Sequence, residues 1–151
     1  GQRNVVWLGE GIAGDDTDGH VDDLARLVDA RTIVTAVESD PGDENYAVLA
    51  DNRRRLARAR DADGRPFTIV ELPMPRPVVF EGMRLPATYV NFLFVNGGLL
   101  VPTFGDRARD RAALAILQRV LPGRRVVGVD CRALIWGLGA IHCLTQQQPR
   151  G

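Results

Sequence analysis

Tyr89-Val90-Asn91-Phe92-Leu93-Phe94-Val95-Asn96-Gly97-Gly98-Leu99-Leu100-Val101-Pro102-Thr103 carries the clearest structural signal in the chain. Two arms rich in β-branched and aromatic residues flank Asn96-Gly97-Gly98, and Asn-Gly supplies the left-handed backbone that a tight turn requires. The spacing predicts a hairpin of Tyr89 to Val95 against Leu99 to Thr103. Beyond it, Arg107 to Leu121 places Ala108, Ala112, Leu114, Ala115, Leu117 and Leu121 in an amphipathic helix. Pro122-Gly123 stops that helix, and Arg125 to Val129 reads as a strand. Upstream the same order occurs. Leu24 to Val28 and Thr32 to Glu38 flank the turn Asp29-Ala30-Arg31 as a hairpin, although the first arm also has helical phase. Ser39-Asp40-Pro41-Gly42-Asp43 is a capping signal for a helix over Glu44 to Ala59, and Phe67 to Leu72 reads as the next strand. A strand-strand-helix-strand unit from about Asp22 to Leu72 is thus echoed from about Tyr89 to Val129, with a third copy expected to begin at Ile141.

The remaining stretches connect these units. Asn4 to Leu8, rich in valine and tryptophan, is expected to form a short buried strand ending at Gly9-Glu10-Gly11. Pro73, Pro75, Pro77 and Pro86 define a loop that cannot join a sheet interior. Arg53-Arg54-Arg55 spreads over different helix faces and reads as solvated surface rather than a phosphate patch.

At 151 residues, with 45% hydrophobic and 25% charged residues, the chain falls in the range of one ordinary soluble domain. Nineteen basic residues, all arginine, balance nineteen acidic ones, so no net field points to nucleic acid or to an anionic membrane. The longest apolar runs are too short to span a bilayer, and no basic-then-apolar segment opens the chain. A cytoplasmic location is expected, and with it reduced thiols at both cysteines, Cys131 and Cys143.

Chemistry concentrates in Gly137-Leu138-Gly139-Ala140-Ile141-His142-Cys143-Leu144-Thr145-Gln146-Gln147-Gln148-Pro149. Glycines at 137 and 139 let the backbone bend or approach a ligand closely, which suits a thiol facing a pocket. The histidines are His20 and His142. On a strand, His142 would project away from its neighbour Cys143 and serve as packing or outer support. Cys131 reads as an inert buried thiol. The acidic run Asp15-Asp16-Thr17-Asp18-Gly19-His20-Val21-Asp22 superficially suggests a calcium loop, but its register puts Gly14 and Ala25 at ligand positions. Zinc on His20, Asp22 and Cys143 is a rival with acceptable ligand types and no short paired spacings.

Taken together, the His20-Val21-Asp22 element and the glycine-led Ile141-His142-Cys143-Leu144-Thr145-Gln146-Gln147 segment resemble the agmatine deiminase family of guanidine-modifying enzymes. The resemblance extends through Ala87-Thr88-Tyr89-Val90-Asn91-Phe92, Asn96-Gly97-Gly98 and Val101-Pro102-Thr103-Phe104-Gly105-Asp106, and so covers nearly the whole chain. It implies an α/β pentein fold, a partial propeller holding about half of a five-unit fan of strand-strand-helix-strand units, with residues 1–151 as the C-terminal part of one catalytic domain. The Trp-Met-Arg-Asp segment that supplies a further aspartate in the family is not found in this sequence.

A guanidinium is planar, cationic and resonance-stabilised, so a site that hydrolyses it needs carboxylates for its nitrogens and a soft nucleophile for its carbon. The resemblance implies Cys143 as nucleophile, His20 as acid and base, and Asp22 as guanidinium anchor, with Asp16, Asp18, Gly139 and Asn91 lining the substrate. No metal or organic cofactor is required by this chemistry. Asp16 and Asp18 favour an amine-ended substrate, hence agmatine, since a carboxylate end would call for arginines. Ala140 and Leu138 stand where many relatives carry asparagine and glycine. The implied reaction converts agmatine and water to N-carbamoylputrescine and ammonia. Alternatives are a deiminase of peptidyl or free arginine, or a non-catalytic half-fold. A half-fold exposing an apolar seam is expected to associate with a second copy or with a missing N-terminal half.

Overall fold

The computed structural model describes residues 4–17 and 19–148. A single helical turn, α1 (Val21–Leu24), runs directly into β1 (Ala25–Leu27), which pairs antiparallel with β2 (Thr32–Val37). Helix α2 (Asn45–Arg58) then crosses over to β3 (Thr68–Pro73), parallel to β2 with Thr32 opposite Thr68 and Val37 opposite Pro73. The first arm is thus a strand over Ala25–Leu27, and of the 24–28 stretch only Leu24 is helical. The second unit follows the same plan. β6 (Leu93–Val95) pairs antiparallel with β7 (Gly98–Thr103), and α3 (Arg107–Val120) leads to β8 (Arg125–Asp130), parallel to β7. Between them, β4 (Val79–Phe80) and β5 (Met83–Arg84) make a small hairpin. Among the described residues the sheets are small and open, with orders β1-β2-β3, β4-β5 and β6-β7-β8, and none closes into a barrel.

The two units share one core. Leu24, Val34, Leu49 and Leu72 of the first pack in the same buried cluster as Leu99, Val101, Ala113 and Leu117 of the second, with Tyr89, Phe92 and Ile135 completing it. Pro102 is tolerated inside β7 because the ladder to β8 uses the other edge of that strand. Gly97 O accepts from Arg125 N at 3.0 Å and Thr103 O from Cys131 N at 2.9 Å, so position 102 faces the β6 side, beyond the end of that pairing. Asp106 caps α3 by accepting from Ala108 N and Arg109 N. At α2 the capping oxygen belongs to Asp43, which accepts from Asn45 N and also pairs with Arg84. The 53–55 arginines lie on the surface, paired with Glu71 and Asp51.

Four expectations are corrected. Asn4 to Leu8 is not a strand: it joins no ladder among the described residues, and Val5 and Trp7 are 70% and 79% exposed. Side-chain bonds from Asn4 to the carbonyls of Arg60 and Asp61 hold it instead. Only Leu93–Val95 of the 89–95 arm is strand. Its first half is a buried irregular turn, fixed by Phe92 N to Val90 O (2.8 Å) and by Tyr89 OH to Asp110 Oδ1 (2.7 Å). The proline-rich loop contains the β4-β5 hairpin, and Pro73 itself closes β3. No third unit opens at Ile141 within the described residues, where His142–Leu144 form a 3-10 turn.

Candidate active site

Two irregular segments and one helical turn meet where the core ends. His20 stands at the N-terminus of α1, and Asp22 and Asp23 lie in its first turn. Asp15 sets the approach, accepting from Thr17 N (3.0 Å) and from His20 N (2.7 Å). A tight crossing of Gly11 over Gly19 supports that loop, since a Cβ on Gly11 would lie 2.6 Å from Gly19 Cα. On the other side, a 3-10 turn at Leu134–Gly137 ends in the left-handed conformation at Leu138 (φ 60°, ψ 26°), and the chain enters the His142–Leu144 turn. Gly139 lies against Cys143: a Cβ there would be 2.8 Å from Cys143 Cβ and 3.2 Å from its Sγ.

Asn91, from the irregular 89–92 turn, joins the two sides. Its Nδ2 reaches Asp22 Oδ2 (3.0 Å), Asp23 Oδ1 (2.8 Å) and Cys143 Sγ (3.0 Å). Its Oδ1 accepts from His142 N (2.9 Å) and Cys143 N (3.4 Å). Asp22 Oδ2 also accepts from His142 Nδ1 at 2.7 Å and lies 3.5 Å from Cys143 Sγ. The donor atoms of His20, Asp22, Asp23 and Cys143 all fall within 4.8 Å of one another. Such a group could hold a zinc ion, and it could equally surround a small planar cation.

The electrostatics follow from this crowding. Burial pushes Asp22 up, but hydrogen bonds from His142 and Cys143 outweigh it and hold the carboxyl below its ordinary range. Asp23 has no such relief. Burial and the charge of Asp22 push it up to about 7 despite the Asn91 hydrogen bond. Burial and the two carboxylates also raise the Cys143 thiol, against the lowering effect of the Asn91 N–H. Cys143 is therefore held toward the neutral thiol beside acidic groups, and a cation arriving between them would favour the thiolate.

Of the residues marked in the sequence, the structure brings together Cys143, His20, Asp22, Gly139 and Asn91. Asn91 is fully buried, with its carboxamide bonded to the protein on both sides, so it has no free surface for a substrate. Asp16 is exposed in the 15–17 turn, and Asp18 lies outside the described residues. His142, expected to point away from the cysteine, instead donates to Asp22, because a 3-10 turn does not alternate its side chains as a strand does. Asp15 and Asp23 were missed. An acid within an acidic run looks solvated, and nothing local marks Asp23 as only 3% exposed. Cys131 is buried in the core and Cys143 is exposed, and both are free thiols. Among the described residues no helix is long and apolar enough to cross a membrane.

Known proteins resemble this chain in sequence and fold. The agmatine deiminase of Ectopseudomonas mendocina is 41% identical over 163 aligned residues, covering 96% of this chain and 44% of that protein. The solved agmatine deiminase of Enterococcus faecalis superposes with a TM-score of 0.89 at 34% identity, over 97% of this chain and 44% of that one. An agmatine deiminase of C. jejuni, solved with substrate bound, gives a TM-score of 0.84 at 37% identity, over 93% and 40%. The chain thus spans less than half the length of the relatives it matches. Residues 1–149 match the Porphyromonas-type peptidyl-arginine deiminases throughout, and the chain belongs to that family.

Proposed function

We propose that this chain carries the nucleophile half of an agmatine deiminase site, hydrolysing agmatine to N-carbamoylputrescine and ammonia. The observation that carries the reading is the convergence of Cys143 Sγ, His20 and the Asp22 and Asp23 carboxylates within 4.8 Å. Asp22 accepts hydrogen bonds from the guanidinium and fixes its plane, with Asp23 behind it adding negative charge. The substrate's positive charge offsets the two carboxylates, and His20 takes the thiol proton. The thiolate attacks the guanidinium carbon, the C–N bond breaks, and His20 returns a proton to the departing ammonia. A cysteine thiouronium remains. His20 then deprotonates a water, the resulting hydroxide adds to the same carbon, and the C–S bond breaks to leave the ureido product.

The proposed architecture is a five-unit pentein fan, of which this chain supplies the two complete units described. Because the chain covers 44% of the E. mendocina enzyme, the remaining cavity wall is assigned to the rest of such a protein or to a second copy. A cavity open on that side admits water and leaves the guanidinium underheld, so the chain alone is expected to turn over weakly or not at all.

The test is labelling with a haloacetamidine, a guanidinium mimic that alkylates a thiol held beside carboxylates. Mass spectrometry should find the adduct on Cys143 and not on Cys131, with Asp22→Asn reducing its rate at least about tenfold. Equal labelling of both cysteines, or a rate indifferent to Asp22, would sink the proposal. Ammonia release should be scored on agmatine, free arginine and arginine-containing peptides, with Cys143→Ala as the blank. Activity that disappears on treatment with a chelator and returns with zinc would replace the covalent route by a metal-assisted one.

A further inference from the structure

Asn91 Nδ2 faces three acceptors, Asp22 Oδ2, Asp23 Oδ1 and Cys143 Sγ, at 2.8 to 3.0 Å. A carboxamide nitrogen carries two hydrogens, so the three cannot all be satisfied at once. Its oxygen is equally engaged, accepting from the backbone N–H groups of His142 and Cys143 and so pinning the turn that presents the sulfur. Among side chains of this size only an amide offers two donors and an acceptor in one plane: aspartate lacks the donors, leucine lacks both. The side chain has no exposure and no motion to spare, since Val90 and Phe92 on either side are also fully buried. Tyr89 ties the same turn to α3 through Asp110, and Arg26 of β1 donates to Phe92 O at 2.9 Å. The amide is thus fixed from both repeat units while bridging residues 52 and 69 positions away.

We propose that Asn91 is a positioning residue: it aims the Cys143 sulfur and the Asp22 and Asp23 carboxylates at one point, and it supplies an N–H to the sulfur when the sulfur carries negative charge. The inference rests on the deiminase reading for its purpose, and it deepens that reading in one respect. A cation that occupies the carboxylates removes two competitors for the Asn91 hydrogens, so substrate arrival and readiness of the nucleophile are coupled through one side chain.

Two measurements test this without turnover, so they stand apart from any failure to release ammonia. The first is the rate of Cys143 alkylation by iodoacetamide from pH 6 to 10, read by mass spectrometry, in the natural chain and in Asn91→Ala. The variant profile should move to higher pH and its rate at pH 7 fall about tenfold, one pH unit of displacement being a factor of ten. Superimposable profiles from two folded proteins would overturn the proposal. The second covers the case in which Asn91→Ala does not fold, and uses the natural sequence. In 1H–15N spectra the Asn91 side-chain protons should shift with an inflection at the pH where alkylation accelerates, and Cys143→Ser, a change at an exposed position, should abolish that inflection. Asn91 resonances that are flat through this range, or that titrate unchanged in Cys143→Ser, would equally overturn it.

Discussion

Asp23 is buried beside Asp22, accepts from Asn91 at 2.8 Å and holds its proton up to about pH 7. Its ordinary value is 3.8, so between pH 4 and 7 the folded chain keeps a proton that the unfolded chain has released. The stabilising contribution is complete below 3.8, declines as pH rises, and is gone above about 7. Asp22, held below its ordinary range, acts with the opposite sign and only at lower pH, so it does not mask this window. Asp23→Asn is therefore expected to flatten the fall in melting temperature between pH 5 and 8, measured by thermal denaturation. Parallel curves for the two proteins would show that Asp23 ionises normally. The family resemblance picks out Asp22 and His20, but the raised value of Asp23 comes from burial beside Asp22 within a site that also takes in Asn91, 68 positions away, and no local pattern carries it.

Turns position Cys143 more than ladders do. Gly139 packs against Cys143, and its missing Cβ leaves room that alanine would fill at 2.8 Å. On the proposed deiminase reading, Gly139→Ala should push the sulfur off its aim and lower ammonia release about 100-fold, as an ångström of misplacement can, while folding stability changes by no more than ~1 kcal/mol. A fully active variant would mean that the turn yields freely. Gly139 was legible in the sequence because glycine reports backbone crowding directly, whereas at Gly137 a Cβ would meet nothing within 4 Å and the expected crowding is absent. Leu138 shows the limit of such reading. It adopts the left-handed conformation that usually selects glycine, and its side chain packs on the core. Asn91 is named by the resemblance as lining the substrate, but its turn was hidden: Tyr89 to Val95 has strand composition throughout, and only buried contacts to α3 and the 142–143 turn break its first half out of the sheet.

At the scale of the molecule, the repeat was readable because each unit is built from local signals: a hairpin turn (Asp29-Ala30-Arg31 in the first, Asn96-Gly97 in the second), a helical period, a capping aspartate. The site lay beyond that reach, since it forms between the units from segments with no period of their own. His142 and Asp22, in hydrogen-bond contact, are 120 positions apart. The β2-β3 and β7-β8 ladders bury their amides in regular pairing, whereas His142 N bonds to Asn91 and Thr145 N to His142 O in short turns near the surface. Local opening should therefore be easier at 142–145 than in β2 or β7. Hydrogen–deuterium exchange is expected to show those amides exchanging at least about tenfold faster than the ladder amides, and uniform protection would refute it. Because one carboxamide fastens three separate stretches of backbone, those stretches should also gain or lose order together. A guanidinium compound seated against Asp22 ought to slow exchange at 20–23, 89–92 and 142–145 in a single concerted step, turning a loose junction into a latch.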